Sequence, residues 1–186
     1  STEYTDATND IKIGSDGAIY SAGITRGGEL LYKDGRNPYG FFSGVLTKQS
    51  ADGIVEWIAV NEAESSGLSA INRPSPDAGV EYESIELGLD GKIYVGGRQQ
   101  RPVSEYSAYN ARSEALFVVY DKNGDELTEL TLSDISKYLQ VPLEDETIGS
   151  GVTDLELASD GSLYALVTRE YNYPDTNLDP YSYDSV

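Results

Sequence analysis

No cysteine, methionine or histidine occurs among the 186 residues, and only 13 are lysine or arginine. Each shortage closes off a class of chemistry. Without cysteine there is no disulfide framework and no thiolate nucleophile or ligand. Without histidine the usual general base and the commonest soft-metal ligand are missing, and a Ser-His-Asp triad is excluded outright. The 13 basic residues stand against 32 acidic ones, a formal net charge of −19. A field of that sign repels phosphate backbones and anionic membrane surfaces, so nucleic acid is not an expected partner. Apolar runs are all short, so no membrane insertion is expected either. No basic stretch followed by an apolar segment opens the chain, so no signal peptide is expected and Ser1 reads as the start of a mature or trimmed product.

What the chain does contain is repetition. Asp10-Ile-Lys-Ile-Gly-Ser-Asp-Gly-Ala-Ile-Tyr20, Ser84-Ile-Glu-Leu-Gly-Leu-Asp-Gly-Lys-Ile-Tyr94 and Asp154-Leu-Glu-Leu-Ala-Ser-Asp-Gly-Ser-Leu-Tyr164 follow one pattern. Apolar residues alternate, Asp-Gly intervenes, and a second apolar run follows. This is a strong hairpin signal, read here as a two-residue type I′ turn in which both positions need positive φ. The turn glycines Gly17, Gly91 and Gly161 stand 74 and then 70 residues apart, a repeat that governs any reading of the fold. Asp16, Asp90 and Asp160 are explained as turn residues and Tyr20, Tyr94 and Tyr164 as core.

Between these hairpins lie others. Residues 25–40 read as a long loop rich in glycine and proline. Strands are expected at 41–47 and 54–60, around Asp52-Gly53, and at 115–120 and 126–132, around Lys122-Asn-Gly124. Residues 63–71 and 133–140 have short-helix character, the second with a serine cap and apolar Ile135, Tyr138 and Leu139; 98–113 reads as a loop. One unit is therefore two hairpins and a connector. Four short antiparallel strands per unit is the content of a β-propeller blade. The expected fold is all-β, with units at 1–83, 84–153 and 154–186 and short helices in the connectors. The last unit stops part-way, at Tyr183-Asp-Ser-Val186, giving about two and a half blades where closed rings need about four to eight. Such a chain would need further strands from a longer protein, the favoured reading, or from another chain.

Asp90-Gly-Lys-Ile-Tyr-Val-Gly-Gly97 and Ala115-Leu-Phe-Val-Val-Tyr-Asp-Lys-Asn-Gly124 resemble the bacterial β-propeller repeats often called SBBP repeats. Thr47-Lys-Gln-Ser-Ala-Asp-Gly-Ile-Val-Glu-Trp57 is a further match, tryptophan included. Tyr120 stands where that family commonly has lysine, and the connectors here are longer than its usual repeat. The resemblance implies a propeller of a secreted or surface protein without an assigned activity, and it supplies no catalytic residues. The cysteine-free, acidic, tyrosine-rich composition points to the same extracellular or cell-surface location.

Two groups of residues are candidate sites. In the tail, Asp175, Asn177 and Asp179 alternate like the front of a calcium loop, with Asp184 nearby. Pro180 occupies the place where such a loop requires glycine, and a loop of Asx turns accounts for the same residues. Calcium is the one cofactor the sequence suggests. The second group is the loop tyrosines Tyr39, Tyr106, Tyr109, Tyr171, Tyr173 and Tyr181, which could stack sugars, meet a protein, or cover the blade edges. No carboxylate pair at glycosidase spacing, phosphate loop or nucleophile elbow stands out. The expected function is a non-enzymatic structural or adhesive segment whose partners are protein chains, further blades of the same protein, or glycan. The alternatives are an extracellular carbohydrate-binding or carbohydrate-active protein and a strand-sharing filament subunit.

Overall fold

Alternating apolar residues and regularly spaced glycine turns give an all-β fold with ten strands among the described residues. The computed structural model describes residues 6–25, 42–62, 79–102, 111–132, 134 and 147–171. β1 (Asp6–Ile13), β2 (Ile19–Thr25), β3 (Ser43–Gln49) and β4 (Val55–Glu62) form one antiparallel sheet in chain order. β5 (Gly79–Leu87), β6 (Ile93–Pro102), β7 (Ala111–Tyr120) and β8 (Glu126–Thr131) form a second meander of the same order. β9 (Thr147–Leu157) and β10 (Leu163–Tyr171) make a further hairpin, joined to β7 by a single parallel bridge, Ser113 to Gly149.

The five tight hairpins among the described residues use one turn, and it differs from the expected type I′. In the first, the Gly14 N–H donates to Ala18 O and the Gly17 N–H to Gly14 O. That is a three-residue loop, a type I turn closed by a left-handed glycine bulge. Gly17, Gly53, Gly91, Gly124 and Gly161 all have φ between 79° and 86°. Only the glycine takes positive φ, so the preceding residue is free to bond locally. The carboxylates of Asp16, Asp90 and Asp160 each accept the N–H two residues on, at 2.9 to 3.1 Å.

The strands exceed their expected limits at one place. Arg98–Pro102 and Ala111–Ser113, read as loop, are paired strand from Arg98↔Ala115 to Pro102↔Ala111. Their side chains are largely polar and show no apolar alternation, yet backbone pairing carries the ladder on. The short helices expected at 63–71 and 133–140 lie outside the described residues, apart from Asp134. Its carboxylate accepts from the N–H and hydroxyl of Thr131.

Three layers result. The inner face of the first sheet supplies Ala18, Tyr20, Ala22 and Leu46, which close on Val80, Tyr82, Ile85, Ile93, Val95, Leu116, Val118 and Tyr120. Burying an aliphatic side chain of this size stabilises by about 1.5–3 kcal/mol. The opposite face of the second meander supplies Ala115, with Tyr94 and Phe117 stacked 6.1 Å apart, and closes with Leu132 on Val152 and Leu155 of β9. Alternation along β6 divides it between the layers: Ile93 and Val95 face one way, Tyr94 and Gly96 the other. A Cβ at Gly96 would stand 2.5 Å from Val152 Cγ1, so glycine there sets how closely β9 approaches.

Each of β1, β5 and β9 carries a bulge at one repeat position: Asn9, Glu83 and Thr153 are skipped in the pairing registers. A bulge frees one residue from the ladder and re-aims its neighbour. The neighbours are Asp10, Ser84 and Asp154.

Candidate functional site

The residues singled out for calcium, Asp175, Asn177, Asp179 and Asp184, lie outside the described residues. So do Tyr39, Tyr106, Tyr109, Tyr173 and Tyr181. Tyr171 ends β10, paired with Thr147. Among the described residues no group of three carboxylates could hold a metal ion, and no helix is long and apolar enough to cross a membrane. The turn aspartates are structural. The Lys92 ammonium beside Asp90 and the Ser162 N–H beside Asp160 hold these carboxyls below their usual range.

A different site emerges when equivalent repeat positions are compared. Ile11, Ile85 and Leu155 occupy one position; Ile85 and Leu155 are buried, whereas Ile11 is 55% exposed. Tyr20, Tyr94 and Tyr164 occupy another. Tyr20 is buried and Tyr94 half-buried, but Tyr164 is 61% exposed, which corrects its expected place in the core. The reason is position in the stack. The β1-side residue of each unit faces the preceding unit, and the tyrosine faces the next. Ile11 has no preceding sheet against it and Tyr164 no following one among the described residues.

Each of these outer faces extends beyond one residue. On the β1–β4 side the cross-strand registers place Ile11, Ser21, Thr47 and Ile58 in one row and Ile13, Ile19, Gln49 and Val55 in the next. Ile13, Val55 and Ile58 are all exposed, and Val45, Thr47, Ile58 and Val60 line a shallow groove there. Ser21 and Thr47 satisfy each other's hydroxyls at 2.6 Å. On the β9–β10 side Tyr164 pairs with Glu156 and Leu166 with Asp154, and Leu166 is exposed.

A polar thread runs through the interior along the same repeat positions. Asp10 Oδ2 accepts the Ile85 N–H at 3.0 Å, and one unit on Ser84 Oγ accepts the Leu155 N–H at 3.0 Å. In both cases the residue after the bulge reaches the backbone of the next unit. Asn9, in the first bulge, also donates to Tyr82 O at 2.7 Å. Two residues further along, Lys12 Nζ meets Glu86 Oε1 at 2.5 Å. That bond raises the Lys12 ammonium above its usual value, with Glu86, Asp10 and Glu156 adding their charge. Glu156 is the third member of that column.

The first interface holds further contacts, some within the second sheet and one across to it. Tyr82 and Tyr120 share a buried hydroxyl contact of 2.5 Å. Burial pushes both phenols up, Tyr120 to about 12. Trp57 of β4 packs edge-on against Tyr20 at 6.2 Å and donates Nε1–H to Lys122 O at 3.3 Å, reaching from the first sheet to the turn of the second. Burial likewise raises the Glu83 carboxyl, against the pull of Arg98, whose guanidinium lies 3.3 Å away and also binds Glu81. These are contacts of stacking and cohesion, and the arrangement they leave open is a pair of sheet faces of opposite sense. Searches of protein-family models and of curated proteins find no match to this chain.

Proposed function

We propose that the chain is part of a β-propeller, with β1–β4 and β5–β8 as successive blades and β9–β10 as the first half of a third. It serves as a non-enzymatic structural or adhesive module of a secreted or cell-surface bacterial protein, presenting its connectors to protein or glycan partners. The observation that carries this reading is the graded burial at equivalent repeat positions: covered inside the stack, exposed only at its ends. Blades of a propeller pack face on face in one rotational sense, and a segment of one leaves a leading and a trailing face of that kind. The bulge-to-backbone link that recurs from Asp10 to Ile85 and from Ser84 to Leu155 supports it independently.

The function is tested with a glycan array and a panel of polysaccharide hydrolase assays on the full chain. A structural module leaves the hydrolase panel silent and shows at most weak, saturable binding through its connectors. Turnover of any polysaccharide would replace this reading with the carbohydrate-active alternative.

A further inference from the structure

We propose that the two outer faces are complementary to each other, so that a second copy of this chain docks head to tail, its β1–β4 outer face covering the β9–β10 outer face of the first. The inference rests on reading the sheets as successive propeller blades and names the occupant of their open ends. Three observations carry it.

The first is continuity with interfaces already present. Ile85 and Leu155 are the residues with which a unit enters the preceding one, and Ile11 is their equivalent. Tyr20 and Tyr94 receive the following unit, and Tyr164 is their equivalent. A contact between copies therefore repeats, at its centre, residue types that the chain already packs twice. The second is the polar thread. Asp154 holds the place of Asp10 and Ser84, on the strand residue after the bulge. One step further along the stack, its carboxylate meets the N–H of Ile11 in the next copy. At present that N–H is held by Asp10 Oδ1 at 2.7 Å, just as the Leu155 N–H is held by Asp154 Oδ1 at 2.9 Å while it also donates to Ser84. The inner joint thus shows that this N–H accommodates both acceptors. The third is charge. The column Lys12, Glu86, Glu156 begins with a cation and ends with an anion, so the next step brings Glu156 toward Lys12, whose ammonium already bonds Glu86 on the inner side of β1. In a molecule of net charge −19, such a placement of one of its 13 cations favours this contact over a like-face pairing.

Head-to-tail contacts close into rings when the rotation permits and otherwise build fibres. Two full units and half of a third from each of two copies make about five, within the range of about four to eight at which propellers close. The two-copy ring is the form proposed. Because the face on β1–β4 includes Ser21, Thr47 and Gln49 where the inner joint has Val95, Val118 and Tyr120, the contact is more polar than the inner ones, and it is reversible.

The test is sedimentation and native mass measurement of the full chain across micromolar to millimolar concentration, at salt sufficient to screen the acidic surface. The wild type should pass from 20.2 kDa to twice that mass. Ile13→Asp blocks the leading face and Leu166→Asp the trailing face; both positions are exposed, so neither change disturbs the fold. Each variant alone should dissociate at least about tenfold more readily, and a mixture of the two should form heterodimers, since each retains the face the other lacks. A wild type that stays monomeric throughout, or a blocked variant that dimerises unimpaired, overturns the proposal. The single tryptophan separates this failure from failure of the blade reading. If Trp57 fluorescence shifts red only on unfolding, the inner stack stands and the open faces await something other than a second copy. If native Trp57 already emits as a solvated indole, the stack itself is wrong.

Discussion

Ile85 and Ile11 have the same residue type, the same place in a repeated sequence and the same place in a strand, yet one is fully buried and the other more than half exposed. Local sequence does not distinguish them. What differs is whether a sheet precedes the one they belong to. The comparison separates two roles that one repeat pattern serves: cohesion where a neighbour exists and, on our proposal, docking where none stands among the described residues. The same holds in reverse for Tyr20 and Tyr164.

The sharpest way to break the comparison is truncation at both positions. Ile85→Ala should cost about 2–5 kcal/mol of unfolding free energy, from lost transfer energy and the cavity left behind. Ile11→Ala in the monomer should stay within about 0.5 kcal/mol, as surface changes do. Urea melts at low protein concentration read both. Equal effects would remove the distinction between the two faces.

Next in size is the tyrosine pair at the inner joint. Tyr120→Phe takes from the buried Tyr82 hydroxyl one of its two partners, leaving Asn61, and should cost about 1–3 kcal/mol; the double change to phenylalanine should cost less than the sum of the two single changes. Alkali tests the same pair. In the unfolded chain a tyrosine ionises near 10, whereas Tyr120 in the fold is held to about 12. Between these values the unfolded state gives up a proton that the native state keeps, so stability intact below about pH 10 is lost as pH rises toward 12. Tyrosinate absorbance should therefore show a late phase that coincides with unfolding, and Tyr82→Phe/Tyr120→Phe should remove it.

A smaller effect compares the three links of the polar thread. Asp10→Ala and Ser84→Ala each remove an acceptor from a backbone N–H between layers and should destabilise the monomer by about 1 kcal/mol. Asp154→Ala faces outward and should leave monomer stability almost unchanged while weakening self-association. Thermal melts beside sedimentation discriminate the three, and a loss of stability at Asp154 equal to that at Asp10 would contradict the directionality of the stack.

The smallest effect concerns the turns, which are alike in all layers. The carboxyls of Asp90, Asp121 and Asp160 are held low, mainly by Lys92, by the Asp125 N–H and by the Ser162 N–H respectively. A depressed folded value means a contribution present above the ordinary carboxylate range and lost as pH falls through the lowered one. Acid titration of Asp160→Asn against the parent should show the difference between them shrinking as pH falls, with the variant the less stable at neutral pH.

Much of this was legible in the sequence. Alternation and glycine spacing located all five hairpins, and the buried run at Ala115 to Tyr120 lies in β7. The turn type was not legible, because a left-handed glycine closes a type I′ turn and a bulged type I turn alike; the hydrogen bond from Gly17 to Gly14 decides. The polar ends of β6 and β7 were read as loop because a backbone ladder needs no apolar periodicity. The outer faces escaped notice because alternation tells which residues share a face and says nothing of whether the face is covered. The bulges at Asn9, Glu83 and Thr153 left one signal that was available: a polar residue at the same place in every repeat, at Asp10, Ser84 and Asp154.

The five tight turns have a consequence for how such a chain can vary. Because β1, β5 and β9 run in one direction through the stack, every three-residue turn falls at one edge, and the connectors after β2, β4, β6 and β8 depart from the other. An inserted residue at the turn edge displaces a glycine from the only conformation that closes the hairpin and shifts a register on which two layers depend. At the opposite edge, length and composition change without touching the ladder. A library of new binding specificities should therefore be built at that rim.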